Sequence, residues 1–356
     1  MRVSAPQEER LLVLLPDQPR EDLLQQIRDL YPHVTVKAYQ VEWGVFKVPD
    51  KVPAAEVAAA TILLSGTALP LPEEAPNLKF VQLQSAGANH VLNHPLFKDT
   101  DVKFCTANGV HGPQISEWVI TTFLAFQHHI PKYLDLQREG KWNRLRDPVE
   151  DAVNRRVGIL GYGSIGRQVA RVSKAMGMDV HAYTLHPRST PESRRDNGYY
   201  PPGLGDPEGT FPSKWFSGGS TADLHAFLSS GLDLVVICLP LTPRTHHLIS
   251  APELKVMAEK RTFVSNIARG PVVNTDDLIN ALEDGTIRGA ALDVTDPEPL
   301  PEGHALWSAK NLIVTPHISG ASVTYVDRVF EILSLNIGRL SEGTGLANEV
   351  SRKDGY

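Results

Sequence analysis

The stretch VGILGYGSIG, residues 157–166, carries glycines at the spacing G-x-G-x-x-G between an apolar segment and an amphipathic one. A glycine string alone is a weak signal, but a strand before it and a helix after it form the context that a dinucleotide site needs. Gly161 would permit the tight turn, Gly163 the approach of a pyrophosphate, and Gly166 the close packing of helix on strand. The predicted cofactor contacts in this stretch are Gly161, Tyr162, Gly163, Ser164, Ile165 and Gly166.

Strand-like and helix-like segments alternate on both sides of this motif, which favours parallel sheets with crossover helices. Strands are predicted at residues 11–15, 34–38, 61–65, 80–83, 103–105, 157–160, 179–182, 234–238, 262–266, 289–293 and 312–315. The sequence thus predicts an α/β protein with two Rossmann-like domains, each a doubly wound parallel sheet. Residues 126–319 would form the dinucleotide-binding domain, inserted into a substrate domain of residues 1–125 and 320–356, because a last helix at about 322–341 follows the second series.

Two segments differ from this alternation. Residues 115–130 predict one long, mostly apolar helix beginning near Ser116, which would connect the domains or form a dimer interface. Residues 187–220 are crowded with Pro, Gly, Ser and charge and predict an insertion without regular structure. Loops of this length are either functional or disordered. A tolerated surface insertion is one interpretation, and Arg188, Arg194 and Arg195 keep a functional role open.

Composition excludes several classes of function. The 356 residues carry a formal net charge of −6, which gives no basic footprint for nucleic acid. No run approaches the roughly 20 apolar residues that a membrane helix needs, and the apolar run at 11–15 is too short for a signal peptide. We therefore expect a soluble cytoplasmic protein without a metal site. Cys105 and Cys238 lie in apolar runs, so buried thiols are expected rather than a disulfide.

The residue that would bind the adenosine ribose comes about 20 positions after the glycine motif. Thr184 stands where an acid is expected, so no carboxylate would repel a 2′-phosphate. His186 and Arg188 follow closely and could pair with such a phosphate. This arrangement favours NADP(H) over NAD(H), although Thr184 could instead bind the ribose of NAD.

Three polar side chains come just after successive predicted strands, at the sheet edge where open α/β folds bind ligands. Arg269 can grip a carboxylate with a two-pronged hydrogen bond. Histidine side chains titrate in the range that proton transfer to a carbonyl requires, which makes His317 a candidate proton donor. A carboxylate on its other ring nitrogen would fix its orientation, and Glu298 is the candidate. Each residue alone also fits a solvated or structural role, but their joint appearance after a dinucleotide motif predicts hydride transfer to a keto acid.

With these motifs the sequence resembles the D-isomer-specific 2-hydroxyacid dehydrogenase family, in particular its glyoxylate/hydroxypyruvate reductases. The resemblance covers about residues 62–341. It rests on the motifs LQSAGANHV at 83–91, GYGSIGRQVA at 161–170, LPLTPRTHHLI at 239–249, NIARGPVVNTDDLINAL at 266–282, ALDVTDPEPLP at 291–301 and TPHISG at 315–320. The resemblance implies an NAD(P)-dependent enzyme that acts on the CH–OH group of D-2-hydroxy acids.

The resemblance also implies roles for individual residues. Arg269, Glu298 and His317 would form the catalytic set, and a homodimer would form through the interdomain helices. Backbone groups at Ser85, Ala86 and Gly87 would hold the substrate carboxylate. Further cofactor contacts would come from Cys238, Leu239, Pro240, Thr245, Ala268, Asp293 and Gly320.

Other functions stay open at this point. Some proteins related to this family are non-enzymatic, NAD(H)-sensing corepressors that bind partner peptides, and they can keep the catalytic residues. Formate dehydrogenase is a relative for which Glu298 is not the expected partner of the histidine. A methyltransferase with a similar glycine loop would leave the arginine, acid and histidine unexplained.

Overall fold

A computed structural model describes residues 8–146 and 148–352 of the chain. These residues form two compact units, one of residues 8–110 together with 323–352 and one of residues 111–322. In the described part of the chain, no helix is both long and apolar enough to cross a membrane.

The strands and helices follow each other as an α/β protein requires. The strands are β1 (Glu9–Leu15), β2 (Val34–Gln40), β3 (Ile62–Ser65), β4 (Phe80–Leu83), β5 (Lys103–Cys105), β6 (Arg156–Leu160), β7 (Asp179–Thr184), β8 (Lys214–Ser217), β9 (Leu234–Ile237), β10 (Phe263–Asn266), β11 (Gly289–Leu292) and β12 (Leu312–Val314). The helices are α1 (Glu21–Leu30), α2 (Ala54–Ala59), α3 (Pro95–Lys98), α4 (Gly112–Gln127), α5 (Ile130–Arg138), α6 (Ser164–Ala175), α7 (Pro191–Arg194), α8 (Thr221–Leu228), α9 (Ala251–Val256), α10 (Thr275–Glu283) and α11 (Tyr325–Glu342).

The first unit is built on a five-stranded sheet in the order β2-β1-β3-β4-β5. All its pairs are parallel, with Leu11 opposite Val36 on one side and Ile62 on the other. Strands β3 and β4 are buried at every position, as parallel strands covered on both faces must be. Helix α11 returns to this unit late in the chain and contacts α1, and the Tyr31 hydroxyl donates to the Ser334 carbonyl at 2.7 Å.

The second unit is built on a seven-stranded parallel sheet in the order β12-β11-β10-β9-β6-β7-β8. The strand order reverses between β6 and β9, the place where doubly wound sheets bind nucleotides. Two parallel α/β sheets, the first unit being completed by α11, confirm the predicted fold class.

The domain boundaries differ from the predicted positions at 125/126 and 319/320, since the units separate at 110/111 and 322/323. The larger difference arises because α4 packs along α6 in the second unit. This helix begins at Gly112 rather than at residue 115, with a proline in its first turn, where a missing N–H costs nothing. Ser116 therefore does not begin the helix, and its hydroxyl donates to the Pro113 carbonyl. Residues 130–138 form the separate helix α5.

The prediction that residues 187–220 lack regular structure is wrong. The segment contains α7 and the strand β8, which extends the sheet by pairing with β7. Both cysteines are free. Cys105 is buried in β5, whereas Cys238, also expected to be buried, is only partly buried because it lies just beyond the end of β9.

Candidate active site

The turn after β6 has the close packing that its three glycines permit. Gly161 has a φ of +104°, and a side chain there would lie 2.7 Å from the Cys238 carbonyl oxygen. A side chain at Gly166 would collide with the Gly161 carbonyl and with Ile159. At Gly163, by contrast, no heavy atom of a described residue beyond its local backbone and chain neighbours lies within 4 Å of the position a Cβ would take. The turn thus leaves open space where the second glycine of a dinucleotide motif receives a pyrophosphate, and these residues fit such a cofactor.

Helix α6 begins directly after this turn. Gly163 is its N-cap, so no side chain occupies the cap position. Ser164 and Ile165 form its first turn, where backbone N–H groups and the helix dipole favour an anion. The Tyr162 side chain is buried and donates its hydroxyl to Asp206, so this side chain packs into the protein.

The residues predicted at the adenosine end lie together at the end of β7. The Thr184 hydroxyl donates to the His186 carbonyl at 2.8 Å, which folds the chain back on itself. His186 and Arg188 are exposed, and the Arg188 guanidinium donates to the Ser193 carbonyl. The loop therefore presents an imidazole and a guanidinium with no carboxylate at the Thr184 position.

His317 and Glu298 form a direct pair in the second unit. The His317 Nδ1 lies 2.7 Å from the Glu298 Oε1, while the side chains remain 48% and 40% exposed. This contact uses one ring nitrogen of His317, and both side chains are open to solvent. A residue that donates a proton to a bound molecule must be open in this way. The predicted partnership between these two residues is present in the structure.

Asp293 shapes the loop that carries His317. Its Oδ1 accepts from the Thr315 hydroxyl and from the Ile318 amide at 2.9 Å, and its Oδ2 accepts from the Ser319 amide at 2.9 Å. The Asp293 carbonyl also accepts the His317 amide at 2.8 Å. These bonds support His317 in a left-handed conformation with φ of 55°, which is uncommon for a residue other than glycine.

Arg269 is exposed just beyond the end of β10. Its loop is held by Asn266, whose side chain donates to the Arg269 carbonyl at 3.1 Å and accepts the Ala268 amide at 3.1 Å. Gly270 follows, and any side chain there would collide with the Thr295 carbonyl. The loops of Arg269 and Glu298 therefore pass each other in backbone contact.

Asn266 and Gly270 are site residues that the sequence predictions omit. Asn266 is buried at the last position of a strand, and a polar side chain in that place is a usable signal for a loop brace. For Gly270 the signal is a glycine directly after the arginine, where a close backbone approach is one common reason for the residue.

The remaining predicted cofactor positions line the same strand ends. The Cys238 thiol lies 3.0 Å from the Gly161 carbonyl, and burial raises its pKa to about 12, so it stays protonated at neutral pH. The loop with Leu239 and Pro240 is closed by the Thr245 hydroxyl, which donates to the Pro240 carbonyl at 2.7 Å. The Gly320 carbonyl accepts from Gln114 at 3.0 Å.

Ser85, Ala86 and Gly87 belong to the first unit and follow the end of β4. The Ser85 hydroxyl donates to the Gly87 carbonyl at 2.8 Å, and the Ser85 carbonyl accepts the Ala107 amide at 2.8 Å. The loop is thus folded by its own bonds. Across the residues that the structure describes, no three His, Cys, Asp or Glu side chains are grouped as a metal site requires.

Comparison with known proteins identifies the family. Residues 120–202 and 213–319, more than half of the chain, match the family model described as D-isomer specific 2-hydroxyacid dehydrogenase, NAD binding domain. The chain belongs to this family. The matched residues include β6 and the glycine-rich turn that follows it, so this turn belongs to the NAD-binding domain of a 2-hydroxyacid dehydrogenase.

Several relatives of this dehydrogenase are named for an activity or have been solved with a bound ligand. A glyoxylate reductase of Thermofilum pendens is 30% identical over 76% of this chain and 74% of its own length. A D-isomer specific 2-hydroxyacid dehydrogenase from Xanthobacter autotrophicus, solved with NADPH and MES, is 26% identical, with a TM-score of 0.75 over 98% of this chain and 100% of that one. An NADPH-dependent glyoxylate/hydroxypyruvate reductase from Sinorhizobium meliloti, solved with NADP and sulfate, is 25% identical, with a TM-score of 0.73 and the same coverage.

Proposed function

We propose that this dehydrogenase interconverts a 2-keto acid and a D-2-hydroxy acid, with glyoxylate or hydroxypyruvate as the first substrates to test. The observation that carries the proposal is the contact of 2.7 Å between His317 and Glu298 at the strand ends of a dinucleotide-binding sheet. The names of the Thermofilum pendens and Sinorhizobium meliloti relatives support the choice of substrates.

His317 is the proposed acid and base. Because Glu298 engages Nδ1, Nε2 is the ring nitrogen that can donate a proton to the carbonyl oxygen of the keto acid. The Glu298 carboxylate holds the ring and stabilises the positive charge that the imidazolium carries before the transfer. A bound nicotinamide would supply the hydride in reduction and accept it in oxidation. In the reverse direction His317 takes the proton back from the hydroxyl group.

Arg269 is the proposed carboxylate-binding residue. Its guanidinium can present two parallel N–H donors to a planar carboxylate, which fixes the position of the adjacent carbonyl carbon. The Asn266 brace supports this role because it fixes the backbone from which the side chain extends. Ser85, Ala86 and Gly87 stay predicted contacts of the substrate carboxylate.

The proposed cofactor is NADP(H) rather than NAD(H). The support is the absence of an acid at Thr184 and the presence of His186 and Arg188 in the same exposed loop. The two solved relatives that hold NADPH or NADP agree with this proposal.

We also propose that the protein is a homodimer. The region around α5 exposes apolar side chains, since Ile130 and Leu134 are 44% and 45% exposed and the Trp142 side chain is fully exposed. An apolar patch of this kind marks an interaction surface, and a two-fold dimer is the commonest way to bury one. A cytoplasmic location stays a prediction.

A steady-state assay tests the reaction and the cofactor together. Glyoxylate, hydroxypyruvate and branched or aromatic keto acids are each reduced with NADH and with NADPH, and we expect activity with at least one acid and a preference for NADPH. A preference for NADH above about tenfold, equivalent to 1.4 kcal/mol, would overturn the cofactor proposal. Lack of activity with every acid would favour the non-enzymatic NAD(H)-sensing scaffold instead.

A further inference from the structure

A buried acid lies in the part of the chain that departs from the family. The family match stops at residue 202 and resumes at residue 213. Asp206 lies in this unmatched stretch, and only 2% of it is exposed. Carboxylates are rarely buried to this degree unless donors satisfy them, because desolvation of an unpaired charge is costly. The partners of Asp206 therefore show what the stretch is attached to.

Asp206 is bonded to the glycine-rich turn itself. Its Oδ2 accepts from the Tyr162 hydroxyl at 2.7 Å and from the Phe211 amide at 3.1 Å, and its Oδ1 accepts from the Thr210 amide at 2.9 Å. Tyr162 stands between the first two glycines of the motif. Burial and the bond to Asp206 raise the pKa of the Tyr162 hydroxyl well above its usual range, so it stays a donor.

The first turn of α6 is attached to the same stretch. The Arg167 guanidinium, 4% exposed as a residue, donates to the Asp206 carbonyl and, at 2.7 Å, to the Arg194 carbonyl. It also lies 5.0 Å from the centroid of the Tyr162 ring. The Gln168 side chain accepts the Gly205 amide at 2.7 Å.

A ring from the edge strand β8 completes the contact. Trp215 of β8 packs edge-on against Tyr162, with 4.9 Å between the ring centroids. We call Tyr162, Arg167, Asp206 and Trp215 the Asp206 cluster. The cluster holds the glycine-rich turn through Tyr162 and the start of α6 through Arg167. An anion-binding turn and the helix N-terminus after it must keep one geometry relative to each other.

We propose that Asp206 and Tyr162 are positioning residues for the cofactor: their hydrogen bond holds the glycine-rich turn in the shape that receives the pyrophosphate. The inference rests on the proposed function, because it requires a dinucleotide at this turn. Preorganisation of a site lowers the cost of ordering it on binding. Loss of the bond should therefore weaken cofactor affinity without altering the groups that perform the chemistry.

The variant Tyr162→Phe removes only the hydroxyl and keeps the ring against Trp215. Titration calorimetry with NADPH and with NADH is expected to show a dissociation constant for the preferred cofactor raised about five- to tenfold, which corresponds to 1–1.4 kcal/mol. The KM for the cofactor should rise by a similar factor, while kcat at saturating cofactor should fall by a smaller one. A merely structural role would lower the melting temperature and leave the cofactor affinity unchanged.

Tyr31→Phe is the matched control, because it removes a comparable phenol bond, to the Ser334 carbonyl, in the first unit. An unchanged dissociation constant in Tyr162→Phe, or an equal rise in Tyr31→Phe, would overturn the inference alone. Asp206→Asn, which removes the charge, is the second variant if Tyr162→Phe does not fold, and it must weaken binding in the same direction. A wild-type protein that binds neither cofactor would overturn the proposed function, and this inference with it.

Discussion

Two regions beside the sheet of the second unit hold their charged groups in opposite ways. After β10, β11 and β12, the side chains of Arg269, Glu298 and His317 are exposed. In the Asp206 cluster, Arg167 and Asp206 are 4% and 2% exposed, and each is bonded to groups of its own chain. Exposed charges can exchange water for a ligand, whereas buried ones need permanent partners.

Exposed and buried charges should affect different properties of the protein. Removing an exposed charge usually changes the free energy of unfolding by less than about 0.5 kcal/mol. Breaking a buried charged hydrogen bond costs several times more, because the remaining partner stays desolvated. We therefore expect variants at the strand ends to change catalytic efficiency and variants at buried groups to change stability or cofactor affinity.

Arg269→Ala is expected to have the largest effect on substrate use. It removes the proposed two-pronged bond to the substrate carboxylate, which would be worth about 3–6 kcal/mol at 1.5–3 kcal/mol for each bond to a charged group. Catalytic efficiency with the preferred keto acid should fall by about 10²–10⁴, mostly through KM, while the melting temperature changes by no more than about 2 °C.

Arg269→Lys serves as the matched variant, since it keeps the charge but not the fork of donors. An intermediate loss is expected from it. Equal losses of catalytic efficiency in both variants would mean that the positive charge at position 269 does not contribute. A large drop in melting temperature would mean that exposed charges contribute to stability as buried ones do.

The strand-end residues are predictable from sequence for a topological reason. In a parallel sheet all carboxyl ends lie at one edge, so short polar motifs after successive strands must lie near each other. The sequence and the sheet topology therefore predict that Glu298 and His317 lie close together. It does not show the Asn266 brace or the contact of Gly270, which depend on the paths of two loops.

The Asp206 cluster is not predictable in the same way. The strand β8 has only four residues, KWFS, between stretches rich in Gly, Pro and Ser, which gives too short a pattern to recognise. Asp206 resembles an ordinary loop acid in the sequence, because its main partner, Tyr162, lies 44 positions earlier. Burial of a polar residue by distant partners is a tertiary property that local patterns do not contain.

His181 offers a smaller, pH-dependent test of how buried titratable groups contribute to stability. It is 5% exposed in β7, its Nδ1 lies 2.8 Å from the Ser230 hydroxyl, and burial, with the nearby Arg156 charge, lowers its pKa to about 4. The unfolded chain, with a histidine pKa near 6.5, takes up the proton first. Stability from this group is therefore complete above pH 6.5 and is lost as the pH falls towards 4.

In wild-type protein we expect this group to remove about 1–3 kcal/mol of unfolding free energy between pH 6.5 and 4.5. Urea unfolding of wild type and of His181→Gln at several pH values measures the difference, which should be smaller at pH 4.5 than at pH 7. Parallel curves for the two proteins would show that His181 does not titrate as described. Turnover at pH 7 should be unchanged within about twofold.

The proposed function depends above all on the His317–Glu298 pair as the source of the proton for keto-acid reduction. We would measure single-turnover reduction by the absorbance of the reduced nicotinamide, with cofactor already bound. For His317→Ala we expect a rate lower by about 10²–10⁴, as for loss of a general acid, with the cofactor dissociation constant within twofold of the wild type. A rate like that of the wild type in this variant would show that His317 is not the proton donor.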